Sequence, residues 1–91
     1  MILYYYMSKI EDLVALMQRK QKGIKFTDLC KLCDYYFGKP INNGTSHIIY
    51  KTPWPGDPRI NIQKSGKEAK PYQVKQVLLA IKKLEVQNEK T

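Results

Sequence analysis

The stretch TPWPGDP, residues 52–58, places three prolines and one glycine within seven positions. Proline lacks the backbone N–H and fixes φ, so such a segment cannot continue a helix or a central strand. On either side lie runs rich in β-forming residues, SHIIYK at 46–51 and RINIQK at 59–64. The pattern therefore predicts an antiparallel hairpin with a long connection.

Side chains alternate between the two faces of a strand, so these runs also predict which residues share a face. The apolar face is expected to carry Ile48, Tyr50, Ile60 and Ile62. The open face is expected to carry His47, Ile49, Lys51, Arg59, Asn61 and Gln63. This arrangement brings Lys51 and Arg59 within expected reach of a phosphate held near His47.

Helical periodicity and capping patterns predict three helices. The first covers residues 8–22, where an S-x-x-E capping box precedes apolar residues that recur every three to four positions. The second is expected to begin at Thr27 and Asp28 and to end at Gly38. The third is expected to begin at Pro71, which suits a first helical turn.

A further short strand is expected at residues 39–43, with Pro40 restricting it to a sheet edge or a strand start. Residues 64–70 are expected to form a polar loop. The resulting α+β order, one helix followed by α-β-β-β-α, can place helices on one face of a three-stranded antiparallel sheet. The expected divisions are an N-terminal helical extension at 1–24, the main domain at 25–86 and a frayed tail at 87–91.

The charge balance points to a polyanionic partner. Sixteen Lys and Arg residues against eight Asp and Glu residues give a formal net charge of +8. In a chain this short, the excess favours nucleic acid or an acidic protein as the partner. The basic residues are spread along the chain, which argues against a helix that lies on a membrane surface.

Cys30 and Cys33 have C-x-x-C spacing. A zinc site needs two further ligands and the chain has one histidine, while a thioredoxin-like pair would follow a strand at a helix start. We therefore expect two reduced thiols packed on a helix of a cytoplasmic protein. No acidic cluster or nucleotide-binding motif occurs, so we expect neither a metal nor another cofactor.

The strongest candidate for chemistry is His47, the only histidine. A histidine can take up and release protons near neutral pH, and RNA-cleaving sites often use one. A packed or surface histidine is the alternative. Lys64, Lys67 and Lys70 form a basic loop before the third helix that would hold phosphate or simply be solvated. Trp54 and Tyr72 would stack on bases or pack against the protein.

Residues 44–51, GTSHIIYK, resemble the G-S-H strand motif of the HicA toxin family. The resemblance continues through PWPGDPRINIQ at 53–63, a basic glycine loop and AKPYQVKQVL at 69–78, and it covers about residues 25–84. Two features depart from the family pattern: the additional first helix, and Thr45 between the glycine and the serine.

The resemblance implies a double-stranded-RNA-binding-like fold with an RNA-cleaving histidine, here His47. It implies the toxin of a type II toxin–antitoxin system, a cytoplasmic endoribonuclease (mRNA interferase) that cleaves messages and arrests growth. It also implies a HicB-type antitoxin that binds the toxin and blocks its active site. The residues expected to contact RNA are Ser46, Lys51, Arg59, Lys64, Lys67 and Lys70.

The simplest mechanism is metal-independent and uses the 2′-hydroxyl of the RNA as nucleophile, with His47 as general acid or base. A non-catalytic RNA- or DNA-binding module on the same fold is the alternative. A basic adaptor that binds only an acidic protein would leave the histidine unexplained. The sequence predicts no particular oligomeric state.

Overall fold

A computed structural model describes residues 2–41, 47–56 and 58–89, with side chains described for 9–41, 47–56 and 58–88. The helices and strands in chain order are α1 (Ile2–Arg19), α2 (Phe26–Phe37), β1 (His47–Tyr50), β2 (Ile60–Ser65), β3 (Glu68–Ala69) and α3 (Pro71–Glu89). The strands form one antiparallel sheet in the order β1-β2-β3. The expected α+β class, with three helices and a three-stranded antiparallel sheet, is confirmed for the described residues, but one of the three strands lies elsewhere than predicted.

The hairpin of β1 and β2 has the faces that alternation predicts. Its pairs are His47–Gln63, Ile48–Ile62, Ile49–Asn61 and Tyr50–Ile60. Tyr50 and Ile62 are 1% and 0% exposed, whereas His47 and Asn61 on the other face are exposed. Packing of one face and hydration of the other is typical of an antiparallel sheet covered on one side.

The prediction of a strand at residues 39–43 is wrong for the described part of that segment, because residues 39–41 form no strand. The N–H of Ile41 donates to the carbonyl of Ile49 at 2.7 Å, but Pro40 has no N–H to extend such a ladder. Residues 42 and 43 lie outside the described part of the chain.

The third strand is instead β3, which pairs with Lys64 and Ser65 inside the segment expected to be a loop. Gly66 starts the turn between β2 and β3 with a φ of +66°, a conformation that glycine adopts at little steric cost. The loop prediction for residues 64–70 was wrong because a two-residue strand is too short to show alternation.

The first two helices begin elsewhere than expected. α1 starts at Ile2 rather than at Ser8, since the preceding residues contain no proline or glycine that would stop it. α2 starts at Phe26, and its N-cap residue Lys25 makes no side-chain capping bond, so Thr27 is not the cap. α2 ends before Gly38, as predicted.

α3 begins at Pro71 as predicted and continues to Glu89, past the start of the expected frayed tail. The indole N–H of Trp54 donates to the side-chain oxygen of Gln87 at 2.8 Å. This bond connects the proline-rich segment to the last turns of α3. Within the described residues, no helix is long and apolar enough to cross a membrane.

A single core lies between the sheet and the helices. α2 and α3 contact the sheet, and α1 packs against both of these helices. The buried apolar residues are Ile10, Met17, Ile24, Phe26, Leu29, Leu32, Cys33, Tyr50, Ile62, Ala69, Val74, Val77 and Ile81. Because the apolar face of the hairpin is covered in this way, the face that carries His47 is left toward solvent.

Candidate active site around His47

His47 is the first residue of β1 and its side chain is exposed. Antiparallel pairing places Gln63 directly opposite, on the same face of the sheet. The Gln63 side-chain nitrogen lies 2.8 Å from Nδ1 and 2.9 Å from Nε2 of the His47 ring. The only histidine of the chain therefore has an amide group within hydrogen-bond distance.

Lys70 lies on the other side of Gln63. Its Nζ donates a hydrogen bond to Oε1 of Gln63 at 2.7 Å. Ala69 at the end of β3 is buried, so alternation turns the next side chain, Lys70, toward the open face. His47, Gln63 and Lys70 form one chain of side-chain contacts, here called the His47 cluster.

Gln73, near the start of α3, holds the backbone of Gln63. β3 pairs with Lys64 and Ser65 and extends no further, so Gln63 has no partner residue in β3. The N–H of Gln63 donates instead to Oε1 of Gln73 at 2.7 Å. Gln73 is only 5% exposed, and its Nε2 donates to the Tyr72 hydroxyl at 3.3 Å.

Lys51 and Arg59 lie at the other end of the hairpin from His47. Lys51 follows β1 and Arg59 precedes β2, and both side chains are exposed. At about 3.3 Å per residue, four residues of strand separate the backbones of His47 and Lys51 by roughly 13 Å. The structure thus places the backbones of these two residues at the opposite end of the hairpin from His47, rather than beside it.

Lys64 and Lys67 also lie apart from the His47 cluster. Lys64 has its Nζ 5.8 Å from the centre of the Phe26 ring, at the helix side of the sheet. Together with Lys25, these two lysines line a cleft beside the start of α2. Of the three lysines in the predicted basic loop, Lys70 is the one that contacts Gln63 of the His47 cluster. Ser46 lies outside the described residues.

The two aromatic candidates have different surroundings. Trp54 packs edge-on against Phe37, with ring centres 6.4 Å apart, and the Nζ of Lys83 lies 4.4 Å from its ring centre. These contacts support the packing role for Trp54. Tyr72 is 55% exposed at the first turn of α3, next to Lys70, and keeps a ring surface open to solvent.

The two thiols lie on α2, with Cys33 buried and Cys30 half-buried. Burial and the nearby carboxylate of Asp34 raise the pKa of Cys30 to about 11. Burial, followed by Cys30 and Asp34, also raises the pKa of Cys33. Both cysteines are free, and thiols that hold their protons are poor nucleophiles and metal ligands. Within the described residues, no group of three or more His, Cys, Asp or Glu side chains could hold a metal ion.

Strand alternation predicts the correct face for Gln63, but neither Gln63 nor Gln73 is among the predicted site residues. The sequence contains a pattern that points to each of these two residues. Gln63 follows from pairing the two β-forming runs with His47 at the end of the first. Gln73 shares a helical face with the buried Val77 and Ile81, and a glutamine on a buried face requires a hydrogen-bonding partner.

Comparisons with protein-family models, with curated proteins and with solved structures find no match. The geometry of the His47 cluster therefore carries the functional argument.

Proposed function

We propose that this protein is an RNA-cleaving toxin of the HicA type, in which His47 transfers a proton during cleavage. The observation that carries the proposal is the His47 cluster: an exposed histidine whose amide neighbour, Gln63, also binds the cation of Lys70. A proton-transfer group and a cation that contact the same amide suit attack on a phosphodiester. The formal charge of +8 supports a polyanionic substrate.

The proposed reaction uses the 2′-hydroxyl of the RNA as nucleophile. Its oxygen attacks the adjacent phosphorus, the bond to the 5′-oxygen of the next nucleotide breaks, and a cyclic phosphate forms. One proton leaves the 2′-hydroxyl and one reaches the departing 5′-oxygen. His47 carries out one of these transfers, which contributes about 10²- to 10⁴-fold, and a lysine, a tyrosine or water carries out the other. Lys70 stabilises the negative charge on the phosphate.

The finer fold and the partner belong to the same proposal. The segment α2-β1-β2-β3-α3, with both helices on one face of the sheet, is compatible with a double-stranded-RNA-binding-like fold to which α1 is added. The exposed position of His47 would allow a HicB-type antitoxin to cover the site. We propose that the protein acts on messenger RNA in the cytoplasm.

The first test is induced expression of the wild type and of His47→Ala, with growth followed and cellular RNA examined. We expect arrest and RNA loss with the wild type alone. Asn61→Ala is the matched control, because Asn61 is exposed on the same face but has no side chain suited to proton transfer. If His47→Ala protein, folded and at equal level, still arrests growth, the proposal is wrong.

The second test uses purified protein with an RNA and the DNA of the same sequence. We expect cleavage of the RNA in the presence of a chelator and none of the DNA, which lacks the 2′-hydroxyl. Cleavage that requires added Mg²⁺, or equal cleavage of DNA, would contradict the 2′-hydroxyl mechanism.

One observation favours a second candidate, a non-catalytic RNA-binding module. Lys25, Lys64 and Lys67 gather at a cleft apart from His47, and such lysines bind phosphate without any chemistry. In that case the wild type and His47→Ala bind RNA equally well, and neither cleaves it.

A further inference from the structure

We infer that Gln63 is a positioning residue, which holds the His47 ring and the Lys70 ammonium in the relative geometry that RNA cleavage requires. We further infer that Gln73 fixes Gln63 in place. The inference rests on the proposed function, since it concerns the same reaction, but it assigns a role to two residues outside the predicted catalytic and RNA-contacting set.

The orientation of the Gln63 amide follows from its neighbours. A lysine ammonium has donors and no acceptor, so the amide atom that faces Lys70 has to be the oxygen. The amide nitrogen therefore faces His47, where it lies within 2.9 Å of either ring nitrogen. Lys70 thus decides which group Gln63 presents to the histidine, and the amide contacts both at once.

The backbone of Gln63 is fixed independently of its side chain. Its N–H donates to Oε1 of Gln73 at 2.7 Å, and Gln73 is 5% exposed. An unpaired N–H or amide in such a place costs about 1–3 kcal/mol, so this bond is maintained. The backbone position from which the Gln63 side chain extends is therefore fixed. It lies between β1, which carries His47, and the start of α3, which follows Lys70.

The consequence for the reaction is geometric. An exposed histidine at a strand end samples several ring orientations, and the Gln63 amide restricts that range. A displacement of about 1 Å in a catalytic group can cost on the order of 10²-fold in rate. Gln63 should therefore affect the chemical step far more than it affects RNA binding.

The kinetic test is Gln63→Met, which keeps the side-chain length and removes the amide. With purified full-length protein and an RNA oligonucleotide that the wild type cleaves, we expect kcat to fall roughly 10- to 100-fold. KM should stay within about twofold, because Gln63 is not among the residues expected to contact RNA. Gln76→Met is the control, since Gln76 is exposed on α3 and outside the cluster. Equal kcat for the wild type and Gln63→Met would overturn the inference.

Gln63→Glu supplies a readout that a purely structural role would not change. A carboxylate still accepts from Lys70 but places a negative charge beside His47, which favours the protonated imidazole. We expect the pH–rate profile of Gln63→Glu to move to higher pH. An unmoved profile would mean that residue 63 does not face the group that titrates.

A spectroscopic measurement separates this inference from the proposed function. Because His47 is the only histidine, the ¹⁵N signals of its ring are assigned without ambiguity. We expect these signals to change in Gln63→Met and to remain unchanged in Gln76→Met. Changed ring signals in a protein that cleaves no RNA would contradict the proposed function but support the contact between Gln63 and His47. If Gln63→Met leaves the ring signals and kcat of an active enzyme unchanged, only the positioning role of Gln63 is contradicted.

Discussion

Lys70 Nζ donates to Oε1 of Gln63 at 2.7 Å, which ties the residue before α3 to the strand residue opposite His47. This contact distinguishes Lys70 from the other lysines of the β2–β3 region. Lys67 is closer to Gln63 in sequence, yet its side chain lines a cleft beside α2. The two lysines therefore form a natural pair of variants for the proposed reaction.

Lys70→Met should reduce RNA cleavage by more than about tenfold at saturating RNA, because in the proposed reaction it removes the cation that stabilises the charge on the phosphate. Lys67→Met should chiefly weaken RNA binding, since a lysine that contacts phosphate elsewhere contributes to affinity rather than to the chemical step. Single-turnover rates and binding titrations at one fixed salt concentration measure the two effects. Equal loss of kcat in both variants would contradict the special position of Lys70.

The faces of the hairpin were predictable because a period of two is visible even in short runs. HIIY and INIQ predict the apolar set and the open set, which puts His47 and Gln63 on one face. The prediction did not include the register that pairs these two residues. β3 was not predictable, since two residues show no period and its pairing depends on the turn at Gly66. The contact between Lys70 and Gln63 depends on that turn. The cations predicted to lie near His47 were therefore Lys51 and Arg59.

The Tyr50 hydroxyl, on the buried side of β1, donates to Oδ1 of Asp34 in α2 at 2.6 Å. Tyr50 is 1% exposed, so Tyr50→Phe removes a hydrogen bond to a carboxylate without changing the ring packing. We expect a loss of about 1.5–3 kcal/mol in the free energy of unfolding, measured by urea denaturation. Asp34→Asn keeps an acceptor and should lose less. A loss below about 0.5 kcal/mol in Tyr50→Phe would contradict this account.

Stability should also fall at alkaline pH, and Tyr50 should contribute to the fall. Burial, then the hydrogen bond to Asp34, raises the pKa of Tyr50 above its ordinary value of 10.0. The folded protein keeps a proton that the unfolded chain releases, so this contribution is complete below about pH 10 and is lost as the pH rises further. The urea midpoint should therefore decrease above that pH, and less steeply in Tyr50→Phe. Cys30, whose pKa is raised from 9.0 to about 11, acts in the same direction in both proteins.

The thiols should react slowly in the folded protein. Because the pKa of Cys30 is about 11, the reactive thiolate is a minor form at pH 8, and Cys33 is in addition fully buried. A thiol-reactive chromophore should label the native protein slowly at pH 8 and label both cysteines at once in denaturant. The rate for Cys30, measured in Cys33→Ala, should increase as the pH is raised toward 11. Rapid labelling at pH 8 would contradict this prediction and favour a redox role for the C-x-x-C pair.

α1 should be required for the stability of the whole chain, although the HicA resemblance begins after it. Met17 of α1 is 0% exposed and belongs to the same core as Leu29, Val77 and Ile62. We expect Met17→Ala to lower the free energy of unfolding by about 2–5 kcal/mol, while the exposed neighbour variant Gln18→Ala changes it by less than about 0.5 kcal/mol. If Met17→Ala were as stable as the wild type, α1 would be an appendage and residues 25–86 would fold alone. A large loss would mean that the boundary at residue 24 divides one cooperative unit, in which α1 supports the helices that hold Gln73 and the hairpin in place.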